Sequence, residues 1–582
     1  MKFKITLSVL LLVTVILLLT SPDISQTKDR IYTNGQILTM EADNPLEQAM
    51  LVKKGKIAAL GSSQQILQLK TDETEIIDLQ NKVILPGFID SHTHVAISSF
   101  FNNMVNLSGF KHQTNKQVWA HLSDYIQTKE PGEVIIGGGI SSILVDDLVL
   151  PDIQFLDTMA PNNPIILVSQ SMHTYWANSS AFEAVGISKD TQAPSESSYY
   201  GKDEHGNLTG IIFEQEAFQP FLNYMKSNLL TPDVLIDSTV KTMKEYAKNG
   251  NTTVVSAGIT INDDKPLRLY EHLASEKTSL LNKALTIAGL LPVKQPLPRH
   301  FIYIRFDRLF LLPEHIVQDD FYNILGVKHW YDGSPYTGSM YLQEPYKNSE
   351  LSQKELHLSK GHRGKALISK PALAKFIKEH HNKGWQIAIH AQGDQANTEV
   401  LELFEQSGLD FSQSRHRLEH CVLLQASDLD KVKQLNMFPN FHINHLLYYG
   451  DALKSDLLGS KRTEQLLAVG SAKKAGLKYS LHADQPMFES NPLRLIQTAV
   501  ERKTTSNMFI AKNEKISVID ALEAMTINAA YSINMETKIG SLKTGKYADF
   551  IILDKNPLTV PVAEIENIKI LKTVINGNEV QF

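Results

Sequence analysis

The sequence holds one cysteine, Cys421, among its 582 residues. A single cysteine cannot form an intramolecular disulfide, and it cannot supply the thiolates of a metal cluster. The net charge of −6 is small for this length, which argues against a nucleic-acid-binding protein and against a polybasic membrane patch. Low-complexity tracts and strong internal repeats are missing as well. Any metal ion must therefore be bound by histidines, carboxylates or a modified lysine.

The N-terminus departs from an otherwise ordinary composition of 42% hydrophobic and 21% charged residues. Lys2 and Lys4 precede a nearly uninterrupted apolar run, residues 5–19, and this combination is typical of an export signal. The run is shorter than the roughly 20 residues that span a bilayer comfortably. No clean cleavage site precedes Pro22, so an uncleaved anchor is the alternative. We predict that residues 1–27 are a signal peptide or an N-terminal membrane anchor.

Both ends of the chain contain short strand-type runs separated by turn residues. Asn34-Gly35 and Lys54-Gly55 are turn signals near the start, and the run 545–554 is one of the strand-type runs near the end. We predict that residues 28–85 and residues 536–582 meet as the two parts of one composite β-sandwich.

The middle of the chain, residues 86–535, alternates apolar strand-type runs with helical segments. Repeated units of this kind favour an α/β fold, a (β/α)8 barrel with its functional side chains at the C-terminal ends of the strands. Residues about 100–225 are too long for one unit, and we predict that they hold an inserted lid. A helix with apolar positions up to residue 529 is predicted to begin at a cap formed by Ser517 and Asp520.

His92 and His94 close the most informative segment of the chain, residues 82–94. The apolar run 83–85 is broken by Pro86-Gly87 and then resumes as an extended segment. Because side chains alternate along a strand, His92 and His94 are expected on one face. Two neutral imidazoles on one face can bind a single transition metal such as zinc.

Four more polar residues end strand-type runs: Lys328, His390, His420 and Asp484. Each of them alone has a simpler structural interpretation. The two histidines could be hydrogen-bonded core residues, and the aspartate could be a turn residue. Lys328 could form an ion pair with Asp332. The occurrence of all four at strand ends indicates instead that they meet in one site.

These segments resemble the amidohydrolase superfamily, specifically the amidohydrolase family 3 branch that includes N-substituted formamide deformylase. The resemblance covers about residues 30–580. The matching segments are 86–94, 326–328 with 332–334, 390–396, 415–420, 483–486 and 540–554. The resemblance implies a metal-dependent hydrolase barrel and the composite β-sandwich. It also implies a hydrolase that acts on carbon–nitrogen bonds other than peptide bonds.

The resemblance implies that six side chains bind a divalent metal, expected to be two Zn²⁺ per chain: His92, His94, Lys328, His390, His420 and Asp484. The first two histidines and the aspartate would bind the more buried ion, and the other two histidines would bind the second. In binuclear members the matching lysine is carboxylated and bridges both ions, since a free ammonium has no lone pair. Without that modification of Lys328, a mononuclear site is expected.

The resemblance also implies catalytic and substrate-binding positions. A metal lowers the pKa of a bound water to about 7, and the resulting hydroxide would attack the amide carbonyl. Asp484 would accept the proton of this nucleophile and return it to the leaving nitrogen. His445 would donate to the oxyanion, whereas His442 could be structural. His173 and Glu214, in the inserted region, match substrate-side positions, and a surface role is the alternative for both.

The expected function is hydrolysis of a linear amide or formamide-like bond in a small molecule. A deaminase or a cyclic-amide hydrolase with the same metal site is the first alternative. Gln485, where many relatives carry alanine, leaves the substrate open. A non-catalytic exported binding protein is the remote alternative, and loss of candidate ligands would mark it, but all six are present. We expect an exported protein, periplasmic or extracellular, or tethered to a membrane through residues 5–20. A homodimer is allowed, and no nucleic-acid partner is expected.

Overall fold

The computed structural model describes residues 28–145, 147–170, 172, 174–195, 198–229, 231–276 and 278–582. The predicted signal or anchor segment, residues 1–27, therefore lies outside the described residues. None of the helices in the described ranges combines the length and apolarity needed to cross a bilayer. The chain divides into two compact units, the first reaching to Val95 and resuming at Met243, and the second spanning Ala96–Thr242.

The first unit begins with short strands joined by tight turns. They are β1 (Arg30–Thr33), β2 (Gln36–Leu38), β3 (Leu46–Glu47), β4 (Ala49–Lys53), β5 (Lys56–Gly61), β6 (Glu75–Asp78) and β7 (Val83–Pro86). Asn34 and Lys54 adopt positive φ values of 56° and 48° in the turns predicted there. Strands β5, β4, β1 and β6 form one sheet in that order. A helix, Ser63–Leu67, begins at a capping box formed by Ser62 and Gln65.

The second unit follows strand β8 (Phe88–Thr93) and has a sheet of its own. Its strands are β9 (Val105–Asn106), β10 (Ile135–Ile140), β11 (Ile165–Ser169), β12 (Thr174–Ala177), β13 (Tyr199–Lys202) and β14 (Leu208–Phe213), in the sheet order β13-β14-β12-β11-β10-β9. Helices in and at the borders of this unit are Val95–Phe101, Asn115–Ile126, Ile153–Met159, Ser179–Ala184, Glu214–Leu229 and Pro232–Lys248. Ile166, Phe182 and Phe221 lie in its buried core. Its predicted role as a lid stays a prediction.

Eight parallel strands of the first unit form the barrel. After β8 they are β15 (Asn251–Ile259), β16 (Arg299–Arg305), β17 (Tyr322–Trp330), β18 (Gln386–Ala391), β19 (Arg417–His420), β20 (Phe438–Phe441) and β21 (Ser480–Leu481). Each strand pairs with the next one along the chain, from β8 to β21. Every residue of β15 is buried, as expected for a parallel strand covered on both faces. The predicted (β/α)8 barrel is confirmed, in a nearly closed form.

Helices alternate with the barrel strands and follow the last of them. They are Lys265–Ala274, Leu280–Ile287, Lys370–Asn382, Asp394–Gln406, Leu429–Gln434, Asn444–Ala452, Ser460–Thr463, Val469–Lys474, Pro492–Glu501, Val518–Ala524 and Ile527–Ser532. Short 3-10 turns span Leu309–Leu311, Pro335–Thr337, Ala426–Asp428, Lys512–Glu514 and Val562–Asn567, and π-helical turns span Leu351–Glu355 and Leu453–Leu457. The Ser517–Asp520 capping box is present as predicted. The prediction of a single helix after this capping box is wrong, because the chain leaves helical geometry at Thr526.

The end of the chain returns to the strands of the N-terminus. Strands β22 (Phe550–Leu553), β23 (Ile570–Ile575) and β24 (Asn578–Glu579) join β7, β2 and β3 in one six-stranded sheet. Strand β22 runs antiparallel to β7 and places Ile552 opposite Ile84. Both isoleucines are buried in one core with Tyr32 and Phe550. The composite β-sandwich built from both chain ends is thereby confirmed.

Candidate active site

Two histidines and an aspartate meet where the first and last barrel strands come together. His92 lies in β8, His94 follows that strand, and Asp484 lies three residues beyond β21. The backbone N–H of Asp484 donates to the carbonyl of His92 at 3.2 Å. The Asp484 Oδ1 atom is 3.0 Å from His94 Nε2 and 3.4 Å from His92 Nε2. Ligand atoms of all three residues lie within 4.8 Å of one another, which suits one metal ion.

His390 and His420 lie beside this group, at the C-terminal ends of β18 and β19. Their ring centroids are 4.3 Å apart, and the ring of His420 is 4.6 Å from that of His92. His420 Nδ1 is 3.9 Å from the second carboxylate oxygen of Asp484. Among the described residues, the Nδ1 atoms of His390 and His420 have no hydrogen-bond partner. Asp484 thus connects the two histidine pairs that the sequence predicts.

Lys328 is fully buried in β17, next to Ala388 of β18. Within the described chain its Nζ atom has no hydrogen-bond partner. The alternative interpretation, an ion pair between Lys328 and Asp332, is wrong. The Asp332 carboxylate instead accepts backbone N–H groups of Tyr341, Gln392 and Gly393 at 2.9 to 3.0 Å. Burial lowers the pKa of Lys328 to about 8. About a tenth of this amine is therefore neutral at pH 7, far more than for an exposed lysine.

Glu419 is a site residue that sequence reasoning missed. Its Oε2 atom lies 2.5 Å from His92 Nδ1, and Arg417 donates to its Oε1 atom at 2.6 Å. Burial raises the pKa of Glu419, but Arg417 and His92 more than offset this and hold it well below its usual range. An ionised Glu419 accepts the Nδ1 proton of His92, which leaves the lone pair on Nε2, toward Asp484. The signal available in the sequence was the placement of two charged residues, Arg417 and Glu419, at alternate positions of an otherwise apolar strand-type run.

His482 is a second residue that was missed. Its ring stacks between those of His92 and His442, at 4.6 Å from each. Both of its ring nitrogens are buried without a hydrogen-bond partner among the described residues. Ligand atoms of His420, His442 and His482 lie within 4.8 Å of one another. Its position two residues before Asp484, on the same expected strand face, was the available signal.

His445 lies in the first turn of helix Asn444–Ala452 and is fully buried. Its Nδ1 atom is 2.5 Å from the Tyr336 hydroxyl. Burial holds the pKa of His445 well below its usual range, so the ring is neutral. His442 lies next to it, with ring centroids 4.1 Å apart, and its Nε2 atom is 3.0 Å from the carbonyl oxygen of Ala483. Gln485, which follows Asp484 in the chain, accepts a hydrogen bond from the Ser490 N–H through its side-chain oxygen at 2.9 Å.

Glu214, one of the two predicted substrate-binding residues, lies in the second unit. Glu214 begins helix Glu214–Leu229 with a positive φ of 64°. His173 lies outside the described residues. A role of either residue in substrate binding stays a prediction.

Comparison with known proteins identifies the family. The amidohydrolase family model matches residues 75–581. The chain belongs to the amidohydrolase family. It is 25% identical over 573 residues to N-substituted formamide deformylase of Arthrobacter pascens, covering 95% of this chain and 98% of the relative. It is 26% identical over 552 residues to Protein LONG AFTER FAR-RED 3 of Arabidopsis thaliana, covering 92% and 89%.

The fold has a solved relative in an uncharacterized metal-dependent hydrolase from Pyrococcus horikoshii OT3. The TM-score is 0.69 at 22% identity, over 92% of this chain and 99% of that chain. The amidohydrolase barrel with its sandwich is thus a known architecture. As a member of the amidohydrolase family, the protein is a hydrolase that acts on carbon–nitrogen bonds, as the sequence predicted.

The side chains present fit a divalent metal ion. Among the described residues, the buried His92 Nε2 and His420 Nδ1 atoms have no hydrogen-bond partner and lie 3.4 and 3.9 Å from the Asp484 carboxylate. Burial lowers the pKa of His92 and His390 to about 3, so these rings are neutral. Burial raises the pKa of Asp484, but the surrounding histidines outweigh it and hold that carboxyl ionised. Neutral imidazole and ionised carboxylate are the forms that bind metal ions.

Proposed function

We propose that the protein hydrolyses the carbon–nitrogen bond of a linear amide or formamide-like small molecule. The observation that carries the proposal is the convergence of His92, His94 and His420 around the carboxylate of Asp484, at 3.0 to 3.9 Å, with the ring of His390 4.3 Å from that of His420. The similarity to N-substituted formamide deformylase, which extends over 98% of that enzyme, supports the choice of bond. Family membership alone leaves the substrate open.

In this proposal His92, His94 and Asp484 would hold one divalent cation, His390 and His420 would hold a second, and a carboxylated Lys328 would supply oxygen ligands. Imidazole and carboxylate ligands favour zinc among the common divalent ions. A bound divalent cation lowers the pKa of a coordinated water to about 7 and polarises a carbonyl group.

The residues of the chain supply proton transfer and orientation. Asp484 takes a proton from the attacking water and delivers it to the leaving nitrogen, since its ionised carboxylate lies at the centre of the histidines. His445 stabilises the developing oxyanion. In this proposal the Tyr336 hydroxyl, 2.5 Å from Nδ1, donates to that atom, so the neutral ring carries its proton on Nε2. That N–H is a donor for a negatively charged oxygen.

The test measures metal equivalents per chain and then product release by the metal-loaded protein. N-formyl and N-acyl amines are offered beside aminopurines, aminopyrimidines and cyclic amides. We expect at least one metal equivalent, and free amine together with formate or a carboxylic acid. Release of ammonia from a ring, or opening of a cyclic amide, would replace the proposed bond with the alternative chemistry. Metal-free protein with undiminished turnover would end the proposal.

Asp484→Asn tests the proton-transfer step in the same assay. The variant is expected to fold and to keep some metal, because asparagine retains one oxygen ligand. We expect turnover to fall by about 100-fold or more, since an amide cannot carry the proton. Asp410→Asn, at an exposed carboxylate with no place in the site, is the matched control. Near-normal turnover in metal-loaded Asp484→Asn protein would remove this residue from the mechanism.

A further inference from the structure

Three buried histidines form a group that extends past the six predicted metal ligands. This three-histidine group consists of His420 at the end of β19, His442 just after β20 and His482 just after β21. Their ring centroids are 4.6 to 5.5 Å apart, and the side chains offer ligand atoms that all lie within 4.8 Å of one another. Only His420 belongs to the predicted ligands, and the other two take no part in the proposed reaction.

The three-histidine group holds buried nitrogens that lack hydrogen-bond partners. Within the described chain these are the Nδ1 atoms of His420 and His442 and both ring nitrogens of His482. His442 and His482 are 0% exposed, so bulk water does not reach them. A buried polar atom without a partner is costly, and native structures satisfy such atoms with a protein group, an ordered water or an ion. Four of them in one place indicate a ligand bound by the group.

His442 is oriented in the way that metal-binding histidines are. Its Nε2 atom lies 3.0 Å from the carbonyl oxygen of Ala483, which can only accept a hydrogen bond. The neutral ring therefore carries its proton on Nε2 and its lone pair on Nδ1, the atom without a partner. A ring N–H that donates to a backbone carbonyl is the usual second contact of a histidine that binds a metal ion.

Asp484 supplies negative charge beside the same nitrogens. Its Oδ2 atom lies 3.9 Å from the Nδ1 atom of His420 and 3.9 Å from that of His442. With bonds of about 2.0–2.1 Å, the ligand atoms of a tetrahedral zinc site lie about 3.3 Å apart, so a small movement of these side chains suffices to form one. A cation among the three rings would therefore have a carboxylate next to it to balance its charge.

A second group that includes His482 is less suited to a metal ion. It joins His482 to His92 and Glu419, again with ligand atoms within 4.8 Å of one another. However, Glu419 accepts hydrogen bonds from Arg417 and Asn440, and its contact with His92 occupies the Nδ1 atom of that ring. These atoms already have partners, whereas the four nitrogens of the three-histidine group have none in the described part of the chain.

We propose that the three-histidine group binds one transition-metal ion of its own, apart from the cation of His92 and His94. Three neutral imidazoles suit Zn²⁺ and its neighbours in the series, and they suit Mg²⁺ and Ca²⁺ poorly, because those two ions prefer oxygen ligands. His420 is also a predicted ligand of the second cation, which would use its other ring nitrogen. The inference rests on the proposed function only through this shared residue.

The experiment locates zinc in crystals of the zinc-loaded full chain, by anomalous diffraction on both sides of the zinc absorption edge. We expect a peak about 2.0–2.1 Å from a ring nitrogen of His442 and from one of His482. Elemental analysis of the same protein in solution counts zinc per chain. His482→Phe keeps an aromatic ring in the stack but removes both nitrogens, and it is expected to lose this peak and one zinc equivalent per chain.

His380→Phe is the matched control and should bind as much zinc as the parent protein. His380 is another buried histidine whose Nδ1 atom has no partner among the described residues, and its ring packs on Phe376 at 4.3 Å, outside the site. Ordered water without an anomalous peak at the three-histidine group of the parent would overturn the proposal. Unchanged zinc content in folded His482→Phe would overturn it as well.

The map of the parent protein decides the question even if His482→Phe does not fold. It also separates this inference from the proposed function. A peak at the three-histidine group in a protein that hydrolyses no amide would support the metal position and contradict the proposed function. Amide turnover by zinc-loaded protein without that peak would support the proposed function and contradict the metal position.

Discussion

Glu419 fixes the orientation of the His92 ring from the side opposite Asp484. Its Oε2 atom lies 2.5 Å from His92 Nδ1, and Asn440 donates to the same oxygen at 2.8 Å. Partners of this kind set the tautomer of a ligand histidine and raise its basicity. The contact joins residues 327 positions apart in the chain. Strand periodicity could not reveal this contact. The alternation of side chains shows which face of a strand a residue is on, but not which residue of another strand lies opposite.

Glu419→Gln is expected to weaken metal binding by about 10- to 100-fold. The variant keeps the shape of the side chain but removes the charge that stabilises a Nδ1 proton on His92. Competition with a chromogenic chelator measures the affinity. Glu399→Gln is the matched control, since that buried carboxylate bonds Tyr331 and Lys370 outside the site. Unchanged metal affinity in Glu419→Gln would show that this carboxylate does not position the ligand.

Lys328 provides a prediction that depends on pH. Burial lowers its pKa to about 8, below the ordinary range of a lysine, so the neutral amine increases as pH rises toward 8. An exposed lysine is less than about 1% neutral at that pH. Carboxylation consumes the neutral amine. Protein in ¹³C-bicarbonate is therefore expected to give a carbamate signal that grows between about pH 6.5 and 8.5.

Two variants assign that carbamate signal to its residue. Lys328→Arg should abolish it, because arginine stays protonated throughout this range. Lys546→Arg should leave it unchanged, although Lys546 is also buried. A signal that survives in Lys328→Arg would place the carbamate elsewhere, and no signal in the parent protein would favour the mononuclear site.

At the scale of single elements, the last barrel strand is shorter than its sequence predicts. Residues 478–484 have the pattern of one strand, but β21 ends at Leu481. Asp484 has a φ of 60°, and its N–H bonds the carbonyl of His92 in the first strand. This turn directs the carboxylate toward the histidines. A non-glycine residue in this conformation was not visible in the alternation of apolar and polar residues.

The helix after Ser517 could likewise be predicted only in part from the sequence. Its capping box follows from local sequence and was predicted. Its break at Thr526 coincides with a tertiary contact, because the N–H of Ile89 in β8 donates to the carbonyl of Met525 at 2.9 Å. Helical periodicity continues through the break, so the sequence alone favoured one helix. The sheet of the second unit was missed for a related reason, since short apolar runs do not distinguish strand from helix.

The close packing of strands β17 and β18 depends on Gly326. It lies in β17 where a Cβ atom would be 1.8 Å from the carbonyl oxygen of Gln386 in β18. Gly326→Ala must therefore separate the two strands two residues before Lys328, and we expect a loss of about 1–3 kcal/mol of stability or more. Soluble yield and the thermal unfolding midpoint measure it. Gly138→Ala, at a strand glycine whose nearest neighbour is 3.4 Å away, is the control. Equal midpoints for the two variants would contradict this account.

At the scale of the whole chain, the strand-rich ends were enough to predict the composite sandwich, but not how it is joined to the barrel. The joint is a buried ion pair between Arg299, the first residue of β16, and Asp549. The guanidinium donates to both carboxylate oxygens, at 2.6 and 3.1 Å, and lies over the ring of Phe321. Asn576, in the turn between β23 and β24, donates its N–H to the same carboxylate.

Removing one partner of this ion pair should lower the stability of the fold more than removing both partners. Asp549→Asn leaves the buried Arg299 without a counter-charge, and we expect a loss of about 3–5 kcal/mol. Arg299→Met with Asp549→Leu removes both charges and should recover much of that loss, because the burial cost of two ions disappears with their attraction. Thermal unfolding followed by circular dichroism compares the variants. Metal equivalents per folded chain should stay the same in both, since neither residue lies in the metal site. A double variant no more stable than Asp549→Asn would show that the ion pair itself, and not the avoidance of an unpaired charge, holds the sandwich to the barrel.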